Sequence, residues 1–302
     1  MQARTDARPP RPVVFGEVLF DHFPDGAAVL GGAPFNVAWH LEGFGLEPLF
    51  VSRIGDDERG REIVGAMTDW GLDVSGLQRD PQRPTGEVRV ALADGQPTFD
   101  ILADRAYDAI GPDLAAAAAA TLPAGLLYHG TLALRGQTSR AALTRLREVT
   151  GAPAFLDVNL RPPWYDRDTV LAALDGARWA KLNEAELREL SGHGGQTGAA
   201  ACALAARHDL DAVIVTLGAD GAIWSDRQEI TATAAAVDAP ELVDTVGAGD
   251  AFASVCIAGL LRGMTAERIL HAAHRFAAAI CRIRGAVARD PGLYRRVFGD
   301  GW

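Results

Sequence analysis

Short, almost continuously apolar runs recur along the chain, and most are followed by a stretch with helical character. The runs are PVVFGEVLF (12–20), PLFVSRIG (48–55), GLLYHGTLAL (125–134), AFLDVNL (154–160), WAKLN (179–183) and DAVIVTLGADGAIW (211–224), the last reading as a strand pair. Between them lie GGAPFNVAWHLEGFG (31–45), DERGREIVGAMTDWG (57–71), SRAALTRLREVTG (139–151), DTVLAALDGA (168–177) and GAAACALAARH (198–208). A strand without polar alternation needs cover on both faces, and strand–helix alternation supplies it. The pattern therefore specifies an α/β fold around a mostly parallel sheet. Two long helices, 249–262 and 266–283, are expected to close the chain. The segment 84–103, PTGEVRVALADGQPTFDILA, breaks the rule. It alternates apolar and polar residues around ADG, as a hairpin with one wet face does, and reads as an inserted flap.

Composition removes several function classes. The net charge is -10, with 39 Asp+Glu against 29 Lys+Arg, which disfavours nucleic acid or an anionic membrane as partner. Cys202, Cys256 and Cys281 are far apart and form no CxxC, so a reducing compartment is expected. The polar, Pro-rich start MQARTDARPPRP lacks the apolar core of a secretory signal, and no apolar run is long enough for a membrane span. The expected location is the cytoplasm, with residues 1–10 disordered. Lys181 is the only lysine, and its context WAKLNEAEL fits neither a P-loop nor the VAIK strand of protein kinases. A dinucleotide-binding oxidoreductase would need GxGxxG after the first strand, where GEVLFD stands instead.

In open parallel sheets, ligands bind beyond the carboxyl ends of the strands. The residues that follow the strands here are Asp21 with Gly31-Gly32, Gly55-Asp56, Asp157-Val-Asn159-Leu-Arg161, Asn183 with Glu186, Thr216-Leu-Gly218, and Gly247-Ala-Gly249-Asp250. They form one polar, glycine-rich rim. In DTVGAGDAF (244–252), the glycines let a ligand approach backbone amides at a helix start, which carries partial positive charge. Asp250 beside such an anion hole has two readings. It caps the helix, or it takes a proton from an attacking hydroxyl while the amides stabilise a transferring phosphoryl group. The stretch alone leaves both open. Asp21 and Asn36 offer hydrogen-bonding groups to a polyol, or serve as turn and first-turn residues. Asn183 and Glu186 also read as a capping box. Arg161 meets a phosphate or pairs with Asp157 or Asp166.

DTVGAGDAF resembles the C-terminal signature of the PfkB, or ribokinase-like, carbohydrate kinases. GGAPFNVAWHLEGFG resembles their N-terminal di-glycine signature. FLDVNLRPPWY, KLNEAEL and VTLGADGA match further blocks in the same order, over about residues 13–290. GGAPFNVA together with DVNLRPPW is most similar to the bacterial fructokinases. The resemblance implies a single domain over 11–302, a ribokinase-like three-layer α/β/α fold with a small β lid built from about 84–103 and the segment 22–30. It implies an ATP-dependent sugar kinase acting on a primary hydroxyl of fructose. Asp250 would be the base, and Gly247, Ala248 and Gly249 the anion hole. Asp21, Gly32, Asn36 and Arg161 would bind the sugar. Asn183, Thr216, Gly218 and Gly221 would surround the nucleotide. Glu186 would organise Mg²⁺, in part through water, and Asp244 a monovalent cation such as K⁺. Val246 stands where many relatives carry Thr in DTTGAGD: a cation loop that uses that side chain would be altered, and one built from backbone carbonyls would be unchanged.

Neighbouring specificities remain open: ribose, 2-keto-3-deoxygluconate, a nucleoside or a phosphosugar. The flap carries Arg89 with Arg83 and Arg105 at its borders, which favours an unphosphorylated sugar. A non-catalytic sugar or nucleotide sensor on the same fold is the other class, and a homodimer paired through the lids is a further expectation. His129 and Trp39 are read as packing residues, and the Arg-rich RIRGAVARDPGLYRR near the end as solvated surface.

Overall fold

The computed structural model describes residues 10–93, 96–192, 195–234 and 243–298. Most of the expected disordered start and the tip of the ADG turn lie outside them. Among these residues the central sheet has nine strands. In space they run β13-β12-β11-β10-β9-β8-β1-β4-β5. The parallel strands are β1 (Arg11–Phe15), β4 (Leu49–Gly55), β5 (Leu77–Asp80), β8 (Ala124–His129), β9 (Ala154–Asp157), β10 (Trp179–Asn183) and β11 (Ala212–Thr216). The antiparallel strands β12 (Ala222–Ser225) and β13 (Ile230–Ala234) finish one edge. From β1 the chain builds outward through β4 and β5 on one side. It then returns to β8 on the other side and runs on to β13. That reversal beside β1 is the switch point where an open α/β sheet forms its ligand crevice.

A second sheet of four strands stands apart, in the order β3-β2-β6-β7. It is built from β2 (Leu19–His22), β3 (Ala28–Gly31), β6 (Gly86–Ala93) and β7 (Gln96–Ile101). Here the structure corrects the sequence reading. PVVFGEVLF is not one strand: β1 ends at Phe15, and β2 belongs to the small sheet. The break falls at Gly16, whose φ of 148° is open to glycine and rarely to other residues. A side chain there would also strike the ring of Pro34. Asp21 therefore lies within a strand of the small sheet rather than at the end of a core strand.

The helices are set by local signals. α1 (Ala33–Gly43) starts after Gly32 with Pro34 in its first turn. α2 (Glu58–Trp70) is capped by Asp57, which accepts from Gly60 N, and ends at Gly71 in the left-handed region. α3 (Pro112–Ala119), α4 (Gln137–Thr150), α5 (Arg167–Asp175), α6 (Glu184–Ser191) and α7 (Thr197–Arg207) follow the expected alternation. α8 (Ala248–Leu261) is apolar nearly all round and buried from Ala251 to Gly259, as a central helix must be. It packs against α1, β8 and α9 (Ala266–Ile280).

The end of the chain departs from the expectation of two closing helices and a solvated Arg-rich tail. A further helix, α10 (Pro291–Phe298), packs on α9, and Ala286, Ala288 and Tyr294 are buried. The reason is aromatic packing. Trp39 stacks on Trp70 and donates from Nε1 to Ala288 O at 2.8 Å, while His40 hydrogen-bonds to the Tyr294 hydroxyl at 3.0 Å. The packing readings of Trp39 and His129 agree with the structure. His129 is buried and contacts Arg147 at 3.0 Å. No helix among the described residues is long and apolar enough to cross a membrane.

Candidate active site

Asp250 sits in the first turn of α8, and Asn36 in the first turn of α1. Because those helices pack together, Asn36 Nδ2 donates to Asp250 Oδ2 at 2.8 Å across 214 positions of sequence. Asn36 is buried, and its Oδ1 has no hydrogen-bond partner. Burial pushes the Asp250 carboxyl up to about 6. The neighbouring Asp157 adds to the rise, while Asn36, Lys181 and Arg161 oppose it. Asp250 does not cap its helix: Gly247 is the N-cap, in the left-handed region, with no side-chain cap bond. Of the two readings of DTVGAGDAF, the cap is thus set aside by geometry.

The start of α8 is shaped to accept an anion. Ala248 N donates to Thr245 O at 3.3 Å, and Ala251 N to Gly247 O at 2.8 Å. Gly247 N, Gly249 N and Asp250 N have no acceptor among the described residues, which leaves donors at a positive helix end. Gly247 has φ 81°, and a Cβ there would lie 2.8 Å from the Ala286 carbonyl oxygen. The Arg-rich tail thus backs the anion hole. Asp244 joins the same arrangement, accepting from Val246 N at 3.0 Å and Gly285 N at 3.1 Å.

The expected sugar-side residues converge on this point from the small sheet and α1. Asp21 is half-buried, and desolvation raises it to about 6 against the opposing charge of Arg161. A Cβ on Gly31 would lie 3.4 Å from Asp21 Oδ2, and one on Gly32 would lie 2.8 Å from the Glu17 carbonyl. The di-glycine pair thus lets α1 enter beneath the small sheet. Arg161 is exposed and donates only to the adjacent Leu160 carbonyl among the described residues, leaving its guanidinium near Asp21, Asp250 and Glu17.

Of the residues expected around the nucleotide and its metal, Asn183 and Glu186 form the capping box of α6: Asn183 Oδ1 accepts from Glu186 N at 2.9 Å, and Glu186 Oε2 from Asn183 N at 2.8 Å. Glu186 Oε1 accepts from Leu160 N at 2.8 Å, so this carboxylate ties α6 to the loop after β9. Each oxygen keeps a second lone pair for a metal-bound water. The described residues contain no cluster of three or more His, Cys, Asp or Glu that could hold a metal by itself. Thr216 ends β11, and Gly218 and Gly221 lie in the turn between β11 and β12 at φ 60° and 100°.

Two charged residues, Glu17 and Lys181, escaped the sequence reading of the site, which had placed Asp157 on the rim. Glu17, at the crossing between the sheets, is buried, lacks a partner for Oε2 and is raised by desolvation to about 7. Asp157 and Lys181 form a buried ion pair of 2.9 and 3.0 Å. The signals for them were a carboxylate directly after a strand-breaking glycine, and a single lysine in a chain otherwise built with arginine.

A half-buried carboxylate beside helix-start amides without acceptors, on the rim of a parallel sheet, is the arrangement expected of a phosphotransferase acting on an alcohol. Comparison with known proteins specifies it further. The model of the pfkB family carbohydrate kinases matches residues 17–291, and the chain belongs to that family. It is a sugar kinase of ribokinase-like fold. It is 30% identical to fructokinase of Escherichia coli over 308 residues, covering 92% of this chain and 95% of the relative. A double mutant of fructokinase from Vibrio cholerae O395, solved with fructose, ADP and potassium ion, superposes with a TM-score of 0.78 at 26% identity, covering 95% of this chain and 97% of that one. Aminoimidazole riboside kinase from Salmonella enterica gives a TM-score of 0.79 at 24% identity over 95% and 99% of the two chains, which speaks to fold alone.

Proposed function

We propose that this kinase phosphorylates D-fructose on a primary hydroxyl using ATP, with Asp250 as the general base. The observation that carries the reading is the placement of Asp250 beside the unsatisfied amides of the α8 start, oriented by Asn36. The sugar lies between the small sheet and the rim of the large one. Asp21 and Asn36 Oδ1 accept its hydroxyl protons. Asp250 takes the proton of the attacking hydroxyl, whose oxygen bonds to the γ-phosphorus as the bond to the ADP oxygen breaks. The amides of Gly247 and Gly249, which have no acceptor among the described residues, hold the equatorial oxygens, while the expected third donor, Ala248 N, is already bonded to Thr245 O. Glu186, with a lone pair free on each oxygen, would hold the waters of a Mg²⁺ ion brought with the nucleotide, and that ion would neutralise phosphate charge. The small sheet covers the sugar and excludes water that would otherwise consume ATP.

Fructose is favoured by the similarity to curated fructokinases along nearly the full chain. The test is a panel of sugars and nucleosides with Mg-ATP, read as ADP release, with NMR of the phosphorylated product. A preference for ribose or 2-keto-3-deoxygluconate overturns the substrate, and absence of turnover with every acceptor favours a sensor. Asp21→Ala is expected to raise the sugar KM by roughly 10–100-fold, the loss of a hydrogen bond to a charged group, with little change in the ATP KM. Equal losses for both ligands in calorimetric titration remove Asp21 from the sugar site.

A further inference from the structure

Lys181 is the only lysine of the chain, and it is spent in the interior. In register, it sits beside Asp157 across the β9–β10 ladder. The ammonium contacts both Asp157 oxygens, and the two side chains are 8% and 1% exposed. Burying such a pair removes hydration that the attraction returns only in part, so stability alone does not account for it. Its position does. A Cβ on Gly249 would lie 3.5 Å from Lys181 Nζ, so the ammonium rests against the first turn of α8, beside the residue that precedes Asp250. Two of its three N–H bonds go to Asp157, and no further acceptor exists among the described residues. A compact ammonium fits there. The planar five-donor fork of arginine would need more space and more acceptors.

The pair acts on Asp250 with opposite signs: the Asp157 carboxylate disfavours its ionised form and the ammonium favours it. The other groups facing Asp250 are Arg161 from the loop after β9, Asn36 from α1, Glu17 from the crossing after β1 and Tyr128 from β8. Glu186 of α6 couples to Lys181 and Asp157 in turn.

We infer that Lys181 is a positioning residue for phosphoryl transfer: paired with Asp157 and braced against the first turn of α8, its ammonium keeps Asp250 ionised to accept the sugar proton. This rests on Asp250 being the base. The pH dependence of kcat/KM for the sugar, which reports the free enzyme, tests it in the full-length protein. Lys181→Met is expected to move the acid limb upward by on the order of one pH unit, and Asp157→Asn to move it downward by a similar amount. A pair that only braces the fold would lower rates without displacing the limb in opposite directions, so limbs coincident with the wild type overturn the inference. Should Lys181→Met fail to fold, the uncharged double variant Lys181→Met/Asp157→Asn is compared with Asp157→Asn. The two differ only in the lysine, and the limb must lie about one unit higher in the double variant; equal limbs overturn the inference. Asp250→Asn separates the two readings. If it retains turnover with the wild-type limb, the base assignment fails. If it is inactive while the Lys181 and Asp157 variants keep the wild-type limb, the role of Lys181 alone fails.

Discussion

Asp250→Asn is expected to lower kcat by roughly 10²–10⁴-fold, the range that positioned proton transfer supplies, while leaving the fold and ATP binding intact. The substitution keeps shape. The new side-chain oxygen still accepts from Asn36 Nδ2, now at 2.8 Å from Asp250 Oδ2, and the amides at the start of α8 are untouched. What disappears is the group that receives the proton in the proposed reaction. In the wild type that group is active only when ionised, and burial holds it at about 6. Activity therefore falls as pH drops through about 6, and any residual rate in the variant loses that limb. Steady-state ADP release across pH, with calorimetry for ATP and circular dichroism for the fold, provides the measurement. A variant within tenfold of the wild type is incompatible with a base at this position.

The second large effect concerns stability. Glu17→Gln is expected to stabilise the ligand-free protein more at alkaline than at acidic pH, with a difference of about 2–3 kcal/mol between about pH 8.5 and about pH 4.5. Glu17 is buried, its Oε2 lacks a partner, and desolvation raises its carboxyl from the ordinary 4.5 to about 7. A raised carboxyl binds its proton more tightly in the folded state than in the unfolded one. The stability this contributes is complete below the unfolded value and is lost as pH rises through about 7. Above that, the folded chain carries a buried charge, opposed by Arg161 and aggravated by Asp250. Glutamine never ionises. It retains the cost of an incompletely satisfied polar group, about 1–3 kcal/mol at any pH, so the pH difference rather than the absolute gain is diagnostic. Chemical denaturation at both pH values reads it. A constant difference between variant and wild type refutes the raised carboxyl. Asp21 and Asp250 are raised for the same reason, so the site as a whole is stored at the expense of stability at neutral pH.

Much of this site was legible in one dimension because its parts sit on local signals. The glycines before α8, the di-glycine before α1 and the capping box of α6 each declare themselves within a few residues. Continuous apolar strands declared the parallel sheet in the same way. PVVFGEVLF failed for the same reason that it looked clear. Its apolar run crosses from one sheet to another without a change in hydrophobicity, and only Gly16 marks the corner. The contacts around Asp250 were beyond reach. Asn36 meets Asp250 because α1 packs on α8, and Lys181 meets Asp157 because two strands 24 residues apart share a register. Neither packing nor register has a local signature. The buried tail is a similar case: its arginines dominate the composition, while Ala286, Ala288 and Tyr294 decide where it lies.

The corner at Gly16 has a thermodynamic consequence for the ligand. Asp21 rides on the small sheet, whereas Asn36 and Asp250 sit on α1 and α8, which pack on the large one, and the chain passes between the sheets through Gly16 and Glu17. In the proposed reaction, a sugar held by both is a fastener between two bodies. The apparent affinity is then the intrinsic affinity multiplied by the fraction of molecules in which the sheets already stand at the right separation. In that reaction, part of the specificity for a sugar of given length is accordingly written in the angle of the backbone corner at Gly16.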